Sequence, residues 1–187
     1  MTLEEQAEAW VMPFENGRHL VRTRDWLVEL DPGAGEALRI AALTHDVERN
    51  FPGGPRQPAN VPANDRAYRD AHQARSAELV TTWLLAHRAN PALIREVAGL
   101  VRVHEWGGSP AADLLQAADS ISFLETTALH AGNWIREGRY TRERTEEQLK
   151  WMLDRIRVPE ARRLAQPFFD AAFAELSSDE AGDLSGR

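Results

Sequence analysis

Six histidines are spread along the chain, His19, His45, His72, His87, His104 and His130, and there is no cysteine. Without thiolates, any transition metal has to be held by imidazole and carboxylate. Four of the histidines continue apolar stripes at helical spacing. His19 aligns with Thr23, Trp26 and Leu30, and His45 with Leu38 and Ala42; His72 aligns with Ser76, Leu79 and Trp83, and His104 with Leu93, Val97 and Leu100. Spacings of three and four turn each of these imidazoles toward a core. A buried imidazole is costly unless it is bonded, and one shared metal centre accounts for four of them more simply than four separate polar contacts. Asp46 directly follows His45, and near a helix end such neighbours can converge on one ion. Asp119 closes the run Leu114-Leu115-Gln116-Ala117-Ala118, where an unpaired carboxylate is expensive, so it too calls for a cation. His87 and His130 fall outside this order and read as surface or structural residues.

The ordered set His19, His45-Asp46, His72, His104, Asp119 resembles the HD-domain superfamily of metal-dependent phosphohydrolases, over about residues 17–125. A His-Asp dipeptide alone recurs by chance; the order of the set, with each member on an apolar helical face, is the specific part. The resemblance implies a dinuclear centre in which His19, His45, Asp46 and Asp119 hold one ion, and Asp46 bridges to a second held by His72 and His104. The implied cofactors are two divalent transition-metal ions, and mixed nitrogen and oxygen donors suit iron or manganese. The implied reaction is hydrolysis of a phosphate ester or anhydride in a small phosphorylated substrate such as a nucleotide. Arg49 matches the basic position that contacts a substrate phosphate oxygen in such enzymes, which makes Asp46 and Arg49 the expected catalytic residues. The spacing from His72 through His104 to Ala118-Asp119 is more similar to small bacterial hydrolases that cleave diadenosine tetraphosphate symmetrically than to cyclic-di-GMP phosphodiesterases of HD-GYP type. The paired histidine and the Gly-Tyr-Pro of the latter are missing around residues 103–110. Two other readings remain open. One is a diiron oxygenase of the same superfamily, disfavoured by Arg49 and by the lack of a further histidine just after Asp46; the other is a non-catalytic, metal-stabilised nucleotide-binding module.

Positioning these residues falls to helices. Almost every periodic segment carries the 3.6 repeat, which predicts an all-α fold with helices over about 3–12, 17–30, 35–47, 67–86, 91–104, 111–137, 142–157 and 160–176. The five central helices are expected to form an HD-like bundle around the centre, with the C-terminal helices packed outside as a brace. The segment 50–65 contains Pro52, Gly53, Gly54, Pro55, Pro58 and Pro62, so it reads as a long loop, and its place just after the His-Asp pair suggests a lid. Arg56, Arg66 and Arg69 in or beside it suit an anionic substrate. Glu48 and Glu105 neighbour presumed ligands, where they could orient a histidine or help proton transfer, but the favoured reading of each is a surface carboxylate. Trp106, between His104 and two glycines, is a candidate to stack on a nucleobase, whereas the other tryptophans read as core. Residues 1–176 form the predicted domain, and 177–187 a disordered acidic tail.

Bulk properties narrow the partners. A length of 187 residues suits one compact domain, and 43% apolar with 27% charged residues is an ordinary globular balance. Lys plus Arg number 22 against 29 Asp plus Glu, a formal charge of −7 that argues against general nucleic-acid or anionic-membrane binding. Every hydrophobic run is interrupted before the ~20 residues of a membrane span. Glu4, Glu5 and Glu8 stand where a secretory signal would be basic, so the expected location is cytoplasmic.

Overall fold

The computed structural model describes residues 1–57 and 61–184, and within them every regular element is helical. The helices are α1 (Leu3–Val11), α2 (Gly17–Leu30), α3 (Glu36–Thr44), α4 (Arg66–Ala86), α5 (Pro91–Val101), α6 (Pro110–Thr126), α7 (Ala131–Arg136), α8 (Arg142–Asp154) and α9 (Pro159–Leu184). Single 3-10 turns cover Val47–Asn50 and Ala128–His130. Among the described residues, no helix is long and apolar enough to cross a membrane.

Starts follow side-chain chemistry. Thr2 and Glu5 close a reciprocal capping box on α1. Asp65, Asn90, Ser109 and Thr141 accept backbone N–H groups at the starts of α4, α5, α6 and α8, each such cap contributing about 1 kcal/mol. Pro91 and Pro110 occupy first turns, where no amide donor is needed.

At the centre lies α6, which packs against α2, α3, α8 and α9. Leu115, Ala117, Ala118, Ile121 and Leu124 along it are fully buried, against Leu20 and Leu27 of α2 and Ile40 and Leu43 of α3 among others. A helix covered on several sides needs apolar or small residues nearly all round, which explains why α6 has little amphipathic character. Asp119 is therefore carried on a helix enclosed on several sides.

Several ends differ from the periodicity. The helix expected over 35–47 stops at Thr44, and His45 and Asp46 form the turn into Val47–Asn50. The one expected to 104 stops at Val101, after which Gly107 and Gly108, at φ 65° and 113°, turn the chain toward α6. The helix expected over 111–137 breaks after Thr126 into a 3-10 turn and α7. No Gly or Pro marks that break; two adjacent β-branched threonines do, with Thr126 Oγ1 donating back to the Ser122 carbonyl. The last helix runs past Leu176 to Leu184, and of the expected disordered tail 185–187 lie outside the described residues.

Candidate metal centre

Each of the four inward histidines is fixed through Nδ1, leaving Nε2 to face a common interior. At the end of α3, His45 donates from Nδ1 to the Ala42 carbonyl at 2.9 Å, and His104, just beyond α5, donates to the Val101 carbonyl at 2.7 Å. A carbonyl only accepts, so both rings carry their proton on Nδ1. His19 on α2 has Nδ1 2.9 Å from Ser122 Oγ, whose own hydrogen is used on the His19 carbonyl at 2.8 Å; the imidazole is again the donor. His72 on α4 has Nδ1 2.7 Å from Glu48 Oε1. Metal-ligating histidines are oriented in this way, by an acceptor on the far nitrogen.

The Nε2 side carries the decisive contacts. His19 Nε2 and His45 Nε2 lie 3.2 and 3.3 Å from Asp119 Oδ1, and His72 Nε2 lies 2.6 Å from Asp46 Oδ1. The nitrogens of His45 and His72 are buried, and neither has a partner in hydrogen-bonding geometry. Leaving a buried polar nitrogen unsatisfied costs about 1–3 kcal/mol, whereas an ion between nitrogen and carboxylate would satisfy both. The donors sort into two triads, His19, His45 and Asp119, and Asp46, His72 and His104, with the ligand atoms of each within 4.8 Å of one another. They adjoin: the rings of His45 and His104 are 5.0 Å apart between centroids. All six residues proposed from the sequence are thus brought together. They divide three and three, with Asp46 beside His72 and His104, whereas the resemblance implies four and two sharing Asp46.

Electrostatics favour ligand-ready carboxylates. Burial alone would raise Asp46, but Arg49 and the nearby imidazoles hold it well below the usual range; Asp119 is held down likewise, chiefly by Arg155 and His45. Burial and the neighbouring histidines depress His104 to about 4, so it is neutral near pH 7. For His45 burial acts to lower the pKa, yet Asp119 and Asp46 raise it, and His72 is raised against burial by Asp46 and Glu48. Protons and metal ions therefore compete for those two nitrogens.

Glu48 and Glu105, expected at the surface, are buried instead. Glu48 is the acceptor that orients His72. Glu105 is gripped between Arg69 Nη1, at 2.6 Å, and Arg155 Nη1, and these cations pull it down to about 2 against the opposing effect of burial. Sequence reasoning missed Arg155 altogether, because it follows an ordinary surface-patterned helix. The segment taken as an external brace in fact reaches the site.

A cavity of about 800 Å³ opens over the triads. His19, Asp46, His104 and Asp119 line it together with Arg49; Phe123, Trp134, Tyr140 and Met152 give an apolar wall, and Arg18 and Arg139, the latter paired with Glu137, bring guanidinium groups to it. Arg49 donates from Nε to Asp46 Oδ2 at 2.7 Å and from Nη1 to the Tyr68 hydroxyl at 2.8 Å, and its side chain is 41% exposed. Of the loop 50–65, Asn50 and Gln57 reach the cavity, and 58–60 of the expected lid lie outside the described residues. Arg66 stacks over Trp106, which bonds to Asp70 and packs on Trp151, so the expected base-stacking residue is turned away from the cavity. Arg56 is exposed outside it as well. His87 is exposed and stacked on Trp83, as a surface histidine, while His130 lines the cavity.

Comparison of the chain with protein-family models, curated proteins and solved structures found no match. Among the described residues, its own geometry defines an all-helical protein with two largely buried imidazole–carboxylate triads that could hold metal ions.

Proposed function

We propose that the chain is a dinuclear metal-dependent phosphohydrolase of the HD-domain type, cleaving a phosphate ester or anhydride of a nucleotide. The observation that carries this reading is the meeting of two metal-competent triads with a half-exposed arginine in the lining of a ligand-sized cavity. Imidazole and carboxylate donors suit two ions of the iron or manganese kind. When bound, such ions polarise a phosphoryl oxygen and make water acidic enough to supply a nucleophile at neutral pH.

The chain's own groups do the rest. Arg49 uses Nε and Nη1 on Asp46 and Tyr68, and its half-exposed guanidinium lines the cavity, where Nη2 would meet a phosphate oxygen. The wall of Phe123, Trp134 and Tyr140 suits the flat apolar part of a nucleotide, and the guanidinium groups of Arg18 and Arg139 line the same cavity. Arg49 at the reacting end favours hydrolysis over dioxygen chemistry. The test combines metal analysis of the purified protein with phosphate release from a nucleotide panel, alongside oxygen consumption under reducing conditions. Phosphate release that disappears on chelation and returns with Mn²⁺ or Fe²⁺ supports the reading. Metal-dependent oxygen uptake without phosphate release replaces it by the oxygenase, and nucleotide binding without turnover by the sensing module.

A further inference from the structure

Beyond the ligands, the most demanding group in the interior is the Arg155 guanidinium. It lies at the C-terminal end of α8, and its side chain is 2% exposed. Nε donates to Ser120 Oγ at 2.8 Å, Nη1 donates to Glu105 Oε2, and Nη2 to Asp119 Oδ2. The other oxygen of Glu105 takes Arg69, which also donates to the Ala63 carbonyl at 2.9 and 2.6 Å. The result is a buried ladder, Arg69–Glu105–Arg155–Asp119, that joins α4, the segment after α5, α6 and the end of α8. A buried ion pair is weak evidence for stability, since its desolvation cost rivals its attraction; a reason for it is better sought in what it positions.

What it positions is one carboxylate oxygen. Asp119 has Oδ2 tied to Arg155 while Oδ1 faces His19 Nε2 and His45 Nε2. The other triad repeats the pattern: Asp46 has Oδ2 tied to Arg49 and Oδ1 against His72. In both triads an arginine occupies one oxygen and leaves its twin for the metal. We propose that Arg155 is a positioning residue for the ion of the His19, His45 and Asp119 triad, presenting Asp119 as a single-oxygen ligand and making that ion's affinity depend on α8. The inference rests on the metal-centre reading above. It also makes the two ions separable, because each triad has its own carboxylate and its own arginine.

Co²⁺ is a suitable probe, since its visible spectrum reports imidazole and carboxylate coordination and equilibrium dialysis counts the ions. The full chain is titrated as wild type, Arg155→Gln and Arg155→Lys, and each substitution is repeated in His72→Ala and His19→Ala backgrounds, with circular dichroism confirming the helical fold. Wild type is expected to bind two ions. In the His72→Ala background, Arg155→Gln weakens the remaining ion at least tenfold, and Arg155→Lys, which keeps the charge but loses the planar fork, weakens it less. In the His19→Ala background neither substitution changes the remaining ion more than about twofold. If Arg155→Gln does not fold, Arg155→Lys decides alone. Unchanged affinity at both triads overturns the proposal, and so does equal weakening at both, which would mark Arg155 as a general brace. A wild type that binds no Co²⁺ overturns the metal-centre reading itself, a result distinct from either.

Discussion

Arg49 shows how much a single side chain can be asked to do. Two of its nitrogens hold Asp46 and Tyr68, and Nη2 makes no hydrogen bond among the described residues, so its removal should affect turnover more than ion content provided metal is saturating. A charge-assisted hydrogen bond is worth about 1.5–3 kcal/mol, and Arg49→Ala should lower kcat/KM roughly ten- to hundredfold on whichever nucleotide the panel identifies. Arg49→Lys should recover part of this, since charge survives and the fork does not. Equal rates for Ala and wild type at equal metal loading would return Arg49 to a structural role on Asp46. The grouping of Asp46 with His72 and His104 leads to a different expectation from a shared bridge. Asp46→Asn should cost the ion beside His72 and His104 and leave the other in place, which elemental analysis reads as a fall from two ions toward one. Loss of both ions together would restore the bridging role that the resemblance implies.

Among the elements, the turn Val47–Asn50 and the loop packed on it support His72 from outside its own helix. Glu48 reaches back from this turn to His72 Nδ1, and Gly54 lies so close that a Cβ there would sit 2.2 Å from Glu48 Oε2. Gly54→Ala should therefore shift the flexible end of Glu48 and weaken the ion of the Asp46 triad, by at most the roughly ten- to hundredfold that loss of an outer partner of a metal histidine costs, with little change in the other triad. A Co²⁺ titration showing both sites intact would mean that Glu48 adjusts without releasing His72. The all-helical class and the six His and Asp positions that the fold gathers were legible because a polar residue repeated on an apolar stripe is conspicuous at helical spacing. Glu48, Glu105 and Arg155 were not, because a charged residue among charged residues has no periodic signature, and only tertiary neighbours reveal that it is buried. The break after Thr126 was equally hidden, since local periodicity continues through it while the chain changes direction. That break brings Trp134 and Tyr140 to the cavity wall, so the part of the site facing the proposed substrate was the least visible beforehand.

At the scale of the whole molecule, the triads draw on α2, the end of α3, α4, the segment after α5 and α6, while the ladder and the cavity wall add α7, α8 and the segment between them; a bound ion would join segments far apart in sequence. The His19 and Asp119 contacts tie α2 to α6, and the Asp46 and His104 pairing ties the turn after α3 and the segment after α5 to α4. An ion that binds only the folded arrangement stabilises it by mass action. At a free concentration one hundred times Kd that amounts to about 2.7 kcal/mol for each site, or roughly 5–10 °C in Tm for a chain of this length. Thermal melts with chelator and with Mn²⁺ should differ by at least that much in wild type. The difference should fall by about half in His19→Ala or His72→Ala, each compared with its own chelated form so that any direct effect of the substitution cancels. Acid should shrink it. His45 and His72 hold their protons to a higher pH than an ordinary histidine, so the metal must displace more protons as pH falls, and the Mn²⁺-dependent shift should be smaller at pH 6 than at pH 8. A shift independent of pH, or one that survives intact when either triad is broken, would place the stabilising ion elsewhere on the protein and remove the thermodynamic case for a paired centre.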